Sequence, residues 1–427
     1  MYKKLCLSKQ NNNNLTNIMN IIKHCRNCKS KKFSNLFSLG RLSFTGKFSS
    51  EKKKIPKDYI SLIKCNKCQF VQLDRSFNSK YLFGQDYGYR SGINSTMTNH
   101  LKSISQKLTK LTKLKKNDYV LDIASNDGTL LNSYKIKGIK TVGIDPILKK
   151  YKKFYKNINI EIPSFFSHKA IKKTKITKKF KIITACAVFY DIEKPNKFLT
   201  DISNIIDEKR GIFYLEFQDL LSIIKGNLFD TICHEHHGYY SLEVINKMLK
   251  INNLSLIEAT PNNINGGSLS LIISHKKSKY KVNFKNIDRI IKEEKKFKLD
   301  KVETYKNFFK KIKKLKFKIN KYLRNSLKNN KIVHGYGAST KGNVLLQYFG
   351  INKKIVPVIA DRNPEKTNLY TPGTSIRIVS ENYSRNILPD YYLVLPWHFK
   401  KEILLREKKI RRNGTKFIFP LPKLEIK

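Results

Sequence analysis

Apolar residues in this chain follow two repeating patterns, which alternate over most of its length. Between residues 94 and 115 they recur every three or four positions, which predicts a helix with one apolar face. From residue 118 onward, short apolar runs predict strands over 119–123, 141–145, 182–188 and 211–216, with a helix beginning at 129. Alternating strands and helices predict a mainly parallel sheet that is covered on both faces.

The same alternation returns near the C-terminus, after a lysine-rich helical stretch over 280–330. In that stretch Ile, Phe and Leu form an apolar stripe, so we expect one packed face and one basic face. Beyond it, strands are predicted over 331–337, 355–360, 391–395 and 416–419, and helices over 341–349 and 401–409. The C-terminal third is therefore expected to form a second α/β domain.

The expected fold class is α/β, with a small module in front of two sheet-containing domains. We expect a disordered tail over 1–24, a cysteine-rich module over 25–80, a central domain over 81–255 and a C-terminal domain over 256–427.

The chain is strongly basic, because its 427 residues carry 86 Lys and Arg against 32 Asp and Glu, a formal net charge of +54. Such an excess often marks a nucleic-acid or membrane surface. Here the lysines are spread along the whole length among Asn and Ile, which favours solvated surface lysines over a nucleic-acid footprint. No apolar run reaches the roughly 18 residues that span a bilayer, and residues 1–24 lack an apolar signal region. We therefore expect a cytoplasmic protein with no membrane span, and a charge that favours anionic ligands.

Four of the seven cysteines form two C-x-x-C pairs, Cys25 with Cys28 and Cys65 with Cys68. Each pair can present two thiolates from one turn, and a tetrahedral zinc ion needs four. No histidine or carboxylate replaces a thiolate, so we expect a structural zinc ion with no open position. The 36 residues between the pairs are interpreted as a loop-rich excursion.

The run from Val120 to Gly128 has the form of a strand that enters a helix through acidic, small and polar residues. Ligands of open parallel sheets bind at the carboxyl ends of the strands, where small residues let the backbone approach them. The second strand ends in Asp145, whose carboxylate can accept hydrogen bonds from both ribose hydroxyls. The loop lacks G-x-G-x-x-G and a Walker lysine, which favours a nucleoside cofactor without a pyrophosphate, namely S-adenosylmethionine. The candidate cofactor-binding residues are Asp122, Ala124, Ser125, Asn126, Gly128 and Asp145.

The sequence His234-Glu235-His236 places two imidazoles and a carboxylate side by side, and these groups move protons near neutral pH. Its spacing differs from the H-E-x-x-H of catalytic zinc sites. On an extended segment the two histidines would share one face with Glu235 opposite, whereas on a turn all three could converge.

Two further runs are rich in groups that bind ligands. Tyr87–Gly92 offers phenols and a guanidinium, and Gly335–Asn343 is a glycine-rich turn entering a helix, which could hold a diphosphate. Either run could instead be an ordinary packing turn.

Together these motifs resemble those of the S-adenosylmethionine-dependent C-methyltransferases that act on nucleotide-linked keto-sugars. The resemblance extends from Cys25 to Ile426. It includes the cysteine pairs, the S-N-D-G loop, and the runs Tyr87–Gly92, Cys233–His236, Asn265–Ser268, Gly335–Asn343, Tyr370–Thr374 and Leu395–Phe399. It implies an N-terminal zinc-binding module, a central Rossmann-like class I methyltransferase sheet, and a C-terminal α/β domain that helps to bind the sugar nucleotide.

The resemblance also implies roles for individual residues. His236 is expected to remove a proton next to the sugar ketone, with Glu235 as its orienting neighbour, and the carbon then attacks the methyl group. His234 completes the cluster, and Tyr89 is expected near the ketone oxygen. The residues expected to contact the substrate are Tyr87, Arg90, Cys233, Asn265, Gly337, Ser339, Lys341 and Asn343.

The chain departs from the family at two positions on the acceptor side. Cys233 stands where relatives from antibiotic pathways carry Tyr, and Asp191 stands where they tend to carry His. Two other functions stay open from the residues alone. One is RNA or protein methylation, favoured by the charge although no N-P-P-[YF] run is present, and the other is a non-enzymatic zinc module that binds nucleic acid through its first 75 residues.

Overall fold

The structure, a computed structural model, describes residues 19–50, 55–84 and 87–427. Its strands, numbered in chain order, are β1 Met19–Ile21, β2 Phe33–Ser43, β3 Lys57–Cys65, β4 Val71–Leu73, β5 Arg75–Phe77, β6 Tyr119–Ile123, β7 Lys140–Ile144, β8 Ile160–Ile162, β9 Ile182–Cys186, β10 Ile212–Phe217, β11 Gly238–Tyr239, β12 Leu254–Asn262, β13 Ser268–His275, β14 Val333–Tyr336, β15 Val358–Asp361, β16 Arg377–Ser380, β17 Tyr391–Val394, β18 Lys416–Phe419 and β19 Glu425–Ile426.

The α-helices are numbered in the same way. They are α1 Ser79–Leu82, α2 Ser95–Thr112, α3 Thr129–Asn132, α4 His168–Lys172, α5 Pro195–Ile205, α6 Leu220–Gly226, α7 Leu242–Ile251, α8 Phe284–Lys296, α9 Val302–Lys328, α10 Thr340–Phe349, α11 Glu381–Ile387, α12 Lys400–Arg406 and α13 Lys408–Arg412. In the described ranges, no helix is long and apolar enough to cross a membrane. The cytoplasmic location stays a prediction.

The N-terminal module is a four-stranded sheet in the order β11-β4-β3-β2. The predicted loop-rich excursion between the cysteine pairs is wrong, because most of it forms the long antiparallel pair of β2 and β3. Two register shifts, between Asn35 and Phe37 and between Ser38 and Gly40, interrupt the two-residue alternation that would have indicated a strand. The edge strand β11 comes from the segment that directly follows the His-Glu-His sequence.

The predicted disordered tail over 1–24 lies outside the described residues up to residue 18. From residue 19 the prediction is wrong, because β1 pairs antiparallel with β5. A three-residue strand is too short to leave a periodic signal in the sequence.

The central domain is a seven-stranded sheet in the order β12-β13-β10-β9-β6-β7-β8. Strands β8, β7, β6, β9 and β10 are parallel, and the direction of the strand order reverses at β6. This arrangement is the Rossmann-like sheet that the alternation predicts. Strand β13 runs antiparallel to β10, and β12 antiparallel to β13. The boundary predicted between residues 255 and 256 therefore falls inside β12, and the central sheet extends to residue 275.

The C-terminal domain is a six-stranded sheet in the order β16-β15-β14-β17-β18-β19, parallel except for β19. The long helix α9 precedes it and buries Phe308, Ile312 and Leu315 of the predicted apolar stripe, and it also buries Tyr305, Ile319 and Leu323. Phe309 on the same helix stacks on Phe37 of β2, with ring centroids 4.8 Å apart. The helix thereby joins the C-terminal domain to the N-terminal module.

The carboxyl ends of the two large sheets meet. Lys341, at the start of α10, donates a hydrogen bond to Gln218, which follows β10 (2.9 Å). Trp397, which follows β17, donates to Asp230 (2.8 Å). Because ligands of parallel sheets bind at this edge, both sheets present their binding edges to one shared region.

Candidate active site

The loop after β6 has the backbone conformation that its small residues allow. Ala124 and Asn126 adopt positive φ angles of 57° and 50°, and Gly128, at 74°, caps the N-terminus of α3. Asp145 Oδ2 accepts a hydrogen bond from the Asn126 N–H (2.9 Å), while its Oδ1 accepts one from the Ile147 N–H (2.8 Å). The acidic residue after the second strand thus holds the loop in place.

The Tyr87–Gly92 run lies over this loop. The Ser91 N–H donates to Asn126 Oδ1 (3.0 Å), and the Gly92 N–H donates to Asp127 Oδ2 (2.8 Å). A larger residue at Gly92 would displace this contact, because a Cβ atom would lie 2.6 Å from Asp127 Oδ2. A sequence motif found far from the cofactor loop therefore forms one wall of the same site.

A cavity of about 220 Å³ lies between the two runs, at the carboxyl ends of β6, β7, β9 and β10. Of the predicted residues, Ala124, Asn126, Asp145, Tyr87, Tyr89 and Asn265 line it. The lining also carries the carboxyl groups of Asp191, Glu193 and Glu216, and among the described residues it includes no lysine, arginine or histidine. In a chain of net charge +54 this is a local reversal of charge.

The composition of this cavity fits S-adenosylmethionine. Apolar walls such as Ile147 and Val188 suit a nucleoside base, and carboxylates suit ribose hydroxyls and positive charges. The three other predicted cofactor residues do not line this cavity, although Asp122 and Ser125 line an adjoining one of about 30 Å³. The Ser125 hydroxyl is hydrogen-bonded to the Tyr155 phenol (2.8 Å), and Gly128 lies against Tyr155. Asp122 accepts a hydrogen bond from Thr184 (2.6 Å), and burial raises its pKa to about 7.

Glu216, at the carboxyl end of β10, is a lining residue that the sequence prediction did not include. Its carboxylate accepts hydrogen bonds from Tyr214 (2.8 Å) and Asn262 (2.8 Å), and it lies 2.8 Å from His100 Nε2 on α2. The signal was available, because an acidic residue ended a predicted strand of the sheet. Tyr214 lies on the same strand, whereas His100 and Asn262 come from distant parts of the chain and left no pattern.

His236 lies where the turn enters β11; it does not line the cavity itself, but it lies next to Asp191, which does. Its Nδ1 is hydrogen-bonded to the Thr231 hydroxyl (3.2 Å), and its ring lies over the Tyr190 ring with centroids 4.0 Å apart. Its Nε2 is 3.8 Å from Oδ1 of Asp191, which lines the cavity. Burial, with a contribution from Lys341, lowers the pKa of His236 to about 3.

Glu235 and His234, which precede His236 in the sequence, make their contacts in the N-terminal module and not with His236. Glu235 accepts hydrogen bonds from the Thr45 hydroxyl (2.9 Å) and the Gly46 N–H (2.8 Å), so the structure does not pair it with His236 as expected. His234 is packed between the rings of Phe44 and Phe77, and burial lowers its pKa to about 3.

Of the two arrangements that the sequence left open, the structure shows a turn, but the three side chains do not converge, because the turn directs His234 and Glu235 into the N-terminal module. Cys233 is also fully buried and does not line the cavity. Burial, with the charges of Glu235 and Asp191, raises the pKa of its thiol well above the ordinary value.

The residues predicted to hold a diphosphate divide into two groups. Lys341 lies at the junction of the sheets, where its Nζ donates to Gln218 and to the Asn265 carbonyl (3.3 Å). His398 lies close to it, with a buried Nδ1 that has no hydrogen-bond partner among the described residues. These two side chains lie close together where the two large sheets meet.

The other predicted substrate residues have structural contacts. Asn343 is fully buried and donates to the Thr45 carbonyl (2.7 Å), and Ser339 caps α10 through the Gly342 N–H (3.0 Å). Gly337 has a φ of +79° and lies against Pro396. Arg90 lies over the Phe154 ring, 4.3 Å from its centroid, outside the cavity.

The four cysteines of the C-x-x-C pairs lie together, with all sulfur atoms within 4.8 Å of one another. Cys25 Sγ is 3.6 Å from Cys68 Sγ, and Cys28 Sγ is 3.5 Å from Cys65 Sγ. A Zn–S bond of about 2.3 Å places two thiolates of a tetrahedron roughly 3.8 Å apart, so the cluster has the dimensions of a zinc site. The Gln72 amide donates to Cys25 Sγ (3.3 Å), as outer partners of metal ligands do.

Comparisons with known proteins agree with this architecture. Residues 96–259 match a family described as methyltransferase domain, and residues 263–422 match a family described as C-methyltransferase C-terminal domain. The C-methyltransferase NovU of Streptomyces niveus is 25% identical over 369 residues, which are 86% of this chain and 87% of that protein.

Solved methyltransferase structures match the chain in part. An S-adenosylmethionine-dependent methyltransferase from Clostridium acetobutylicum is 14% identical, covering 42% of this chain and 92% of that one, with a TM-score of 0.33. Magnesium protoporphyrin IX methyltransferase from Synechocystis, solved with bound S-adenosylmethionine, is 13% identical. The match covers 46% of this chain and 89% of that one, with a TM-score of 0.32.

Proposed function

The chain belongs to the S-adenosylmethionine-dependent C-methyltransferases, and we propose that it methylates a carbon next to the ketone of a nucleotide-linked 4-keto-sugar. When bound, S-adenosylmethionine supplies a methyl group on a positively charged sulfur. The observation that carries the proposal is the position of His236, a proton-accepting group held beside the cofactor cavity by Thr231 and Tyr190. A base at that place is needed only if the methylated atom must first lose a proton.

A carbon next to a ketone is a suitable acceptor because the carbonyl group stabilises the enolate that forms when the proton leaves. Tyr87 and Tyr89 line the cavity, and a phenol can donate a hydrogen bond to the enolate oxygen. The acidic lining of the cavity favours a cation and disfavours a polyanion such as RNA.

We expect the nucleotide diphosphate to lie outside the cavity, between the two large sheets. Lys341 and His398 are the groups there that can donate to phosphate oxygens. Burial lowers the pKa of Lys341, which a dianionic ligand would raise again by favouring the charged amine.

The cysteine cluster is proposed to bind one structural zinc ion. All four ligands are protein thiolates, so no position is open for water or substrate. We propose that the ion stabilises the four-stranded sheet. Because β11 is the edge strand of that sheet, the ion would also stabilise the turn that carries His236.

The test is methyl transfer to a panel of sugars. Purified protein would be incubated with methyl-labelled S-adenosylmethionine and 4-keto-6-deoxyhexoses linked to thymidine, guanosine or cytidine diphosphate. At least one sugar should gain label at carbon, and the same sugar with its ketone reduced to a hydroxyl should gain none. Protein that binds S-adenosylhomocysteine yet labels no sugar of the panel would contradict the sugar assignment.

The role of His236 is tested in the same assay. His236→Gln should lower the rate at least about 100-fold, the usual contribution of a general base, without weakening the binding of S-adenosylhomocysteine. His275→Gln is the matched control, since His275 is also buried but ends β13 away from the cavity. Equal rates in the two variants would remove His236 from the mechanism.

A further inference from the structure

The imidazole of His236 has close neighbours at Nδ1, at Nε2 and on one ring face, and those at Nδ1 and on the ring face are neutral. Thr231 is hydrogen-bonded to Nδ1, and the Tyr190 ring covers one face of the imidazole. When Nδ1 keeps its proton and donates it to the Thr231 hydroxyl, Nε2 carries the free electron pair. The group opposite Nε2 therefore decides what happens to a proton that the imidazole takes up.

The group opposite Nε2 is the carboxyl of Asp191, on the turn that follows β9. Its Oδ1 is 3.8 Å from His236 Nε2, is buried, and has no hydrogen-bond partner among the described residues. A buried carboxyl oxygen without a donor costs free energy, so such an atom calls for a functional explanation. Asp191 also lines the cofactor cavity.

The other ionisable groups around the pair already have partners or are uncharged. Glu235 is bonded to Thr45 and Gly46, and Lys341 is bonded to Gln218 and the Asn265 carbonyl. His237 Nδ1 is bonded to the backbone carbonyl of Asp191, and Cys233, Tyr87 and Tyr190 have thiol or phenol pKa values raised by burial. His236 is thus the group best placed to donate to the Asp191 carboxyl.

We propose that Asp191 is the positioning residue of the reaction, and that its carboxyl group accepts the proton that His236 Nε2 removes from the substrate carbon. The inference rests on the proposed function, because it completes the proton path of the same site. Asp191 takes the part that the sequence assigned to Glu235.

The step balances without any further reactant. The C–H bond breaks, its electron pair remains on the substrate as an enolate, and an N–H bond forms at Nε2. That proton then passes to Asp191, which restores the electron pair of the imidazole. The enolate carbon forms the new C–C bond as the carbon–sulfur bond of the methyl donor breaks, and Asp191 releases the proton to water when the product leaves.

The electrostatics of the pair support this direction of transfer. Burial and the Glu235 carboxylate raise the pKa of Asp191 well above its ordinary value, whereas burial lowers the pKa of His236 to about 3. The carboxylate is therefore the stronger base of the two. An imidazole with so low a pKa is a weak base on its own, which is why it needs an acceptor beside it.

The first test compares Asp191→Asn with the wild-type protein across pH. The pair works only while it can accept a proton, so the rate should fall as the pH drops through the raised pKa of Asp191. In Asp191→Asn only His236 remains, so this acidic limb should move at least about 1 pH unit lower, and the plateau rate should fall about 100-fold. Asp191→Glu should keep the limb in place. Asp201→Asn is the control, because Asp201 is a buried aspartate of α5 outside the cavity.

The second test needs no acceptor sugar. The full chain, labelled with carbon-13 in its histidine rings and bound to S-adenosylhomocysteine, would be titrated by NMR, with the His236 signal identified by its loss in His236→Gln. In the wild type this signal should respond to the titration of Asp191 well above pH 4, and in Asp191→Asn that response should vanish. The same titration curve in both proteins would overturn the role of Asp191. If no sugar is methylated while the response is present, the sugar assignment fails and the pair stands.

Discussion

Loss of the zinc ligands should destabilise the protein and disable methyl transfer together. The change is Cys28→Ser, with Lys67→Ser as the matched control, since Lys67 lies in the second C-x-x-C turn without being a ligand. Cys28 and Cys65 are 37 positions apart, so an ion that joins them closes a loop of that size. Cross-linking such a loop contributes about 4 kcal/mol by restricting the unfolded chain. Whole proteins are stable by only about 5–15 kcal/mol, so the loss is a large share.

The assay is thermal unfolding together with zinc analysis. A loss of about 4 kcal/mol corresponds to a first unfolding transition roughly 8–16 °C lower in the variant, at about 2–4 °C per kcal/mol. The control should keep one zinc per chain and the wild-type transition. Activity should fall with stability, because β11 pairs with β4 next to the cysteine cluster and begins two residues after His236. Wild-type protein that holds no zinc, and whose unfolding is unchanged by a chelator, would refute the reasoning.

Two further predictions concern the cofactor side of the site. Gly92→Ala should weaken S-adenosylhomocysteine binding about tenfold, as measured by calorimetry. The new Cβ would lie 2.6 Å from Asp127 Oδ2 and displace the loop, at a cost of about 1–3 kcal/mol. An unchanged affinity would contradict this. Burial raises the pKa of Asp122 to about 7, so the folded state binds its proton more tightly than the unfolded state, and the free energy of unfolding should fall as the pH rises from about 4 to 7. That fall amounts to at most roughly 4 kcal/mol, and denaturant titrations of Asp122→Asn should no longer show it. The same pH dependence in the variant and the wild type would show that Asp122 ionises normally.

The sequence predicted those strands that consist of a short apolar run between polar turns. Strand β6 matches its predicted bounds, and β18 does so near the C-terminus, because each is a short apolar run between polar turns. Strands β2 and β3 were missed because their bulges break the alternation. The predicted boundary cuts through β12 and leaves out β13, since an antiparallel pair ends the central sheet without an α-helix between its strands.

The candidate site was predictable as a set of motifs but not as a set of contacts. The sequence left open whether His234, Glu235 and His236 share a face or converge. The answer depends on Thr45 and Asp58, which lie 190 and 176 positions away from their partners Glu235 and His234. No local pattern encodes such distant contacts. Single acidic residues at strand ends were visible in the sequence, but that several of them line one cavity was not, because they come from separate strands.

The two-residue strand β11 makes the four-stranded N-terminal sheet depend on the stretch around residue 238. A fragment ending at residue 80 would lack its edge strand and the imidazole of His237, which accepts the Phe77 N–H (3.3 Å). Hybrid enzymes that exchange the front part between relatives would therefore have to transplant residues 229–240 with it. Shuffling at the apparent module border alone should yield mismatched, inactive chimaeras.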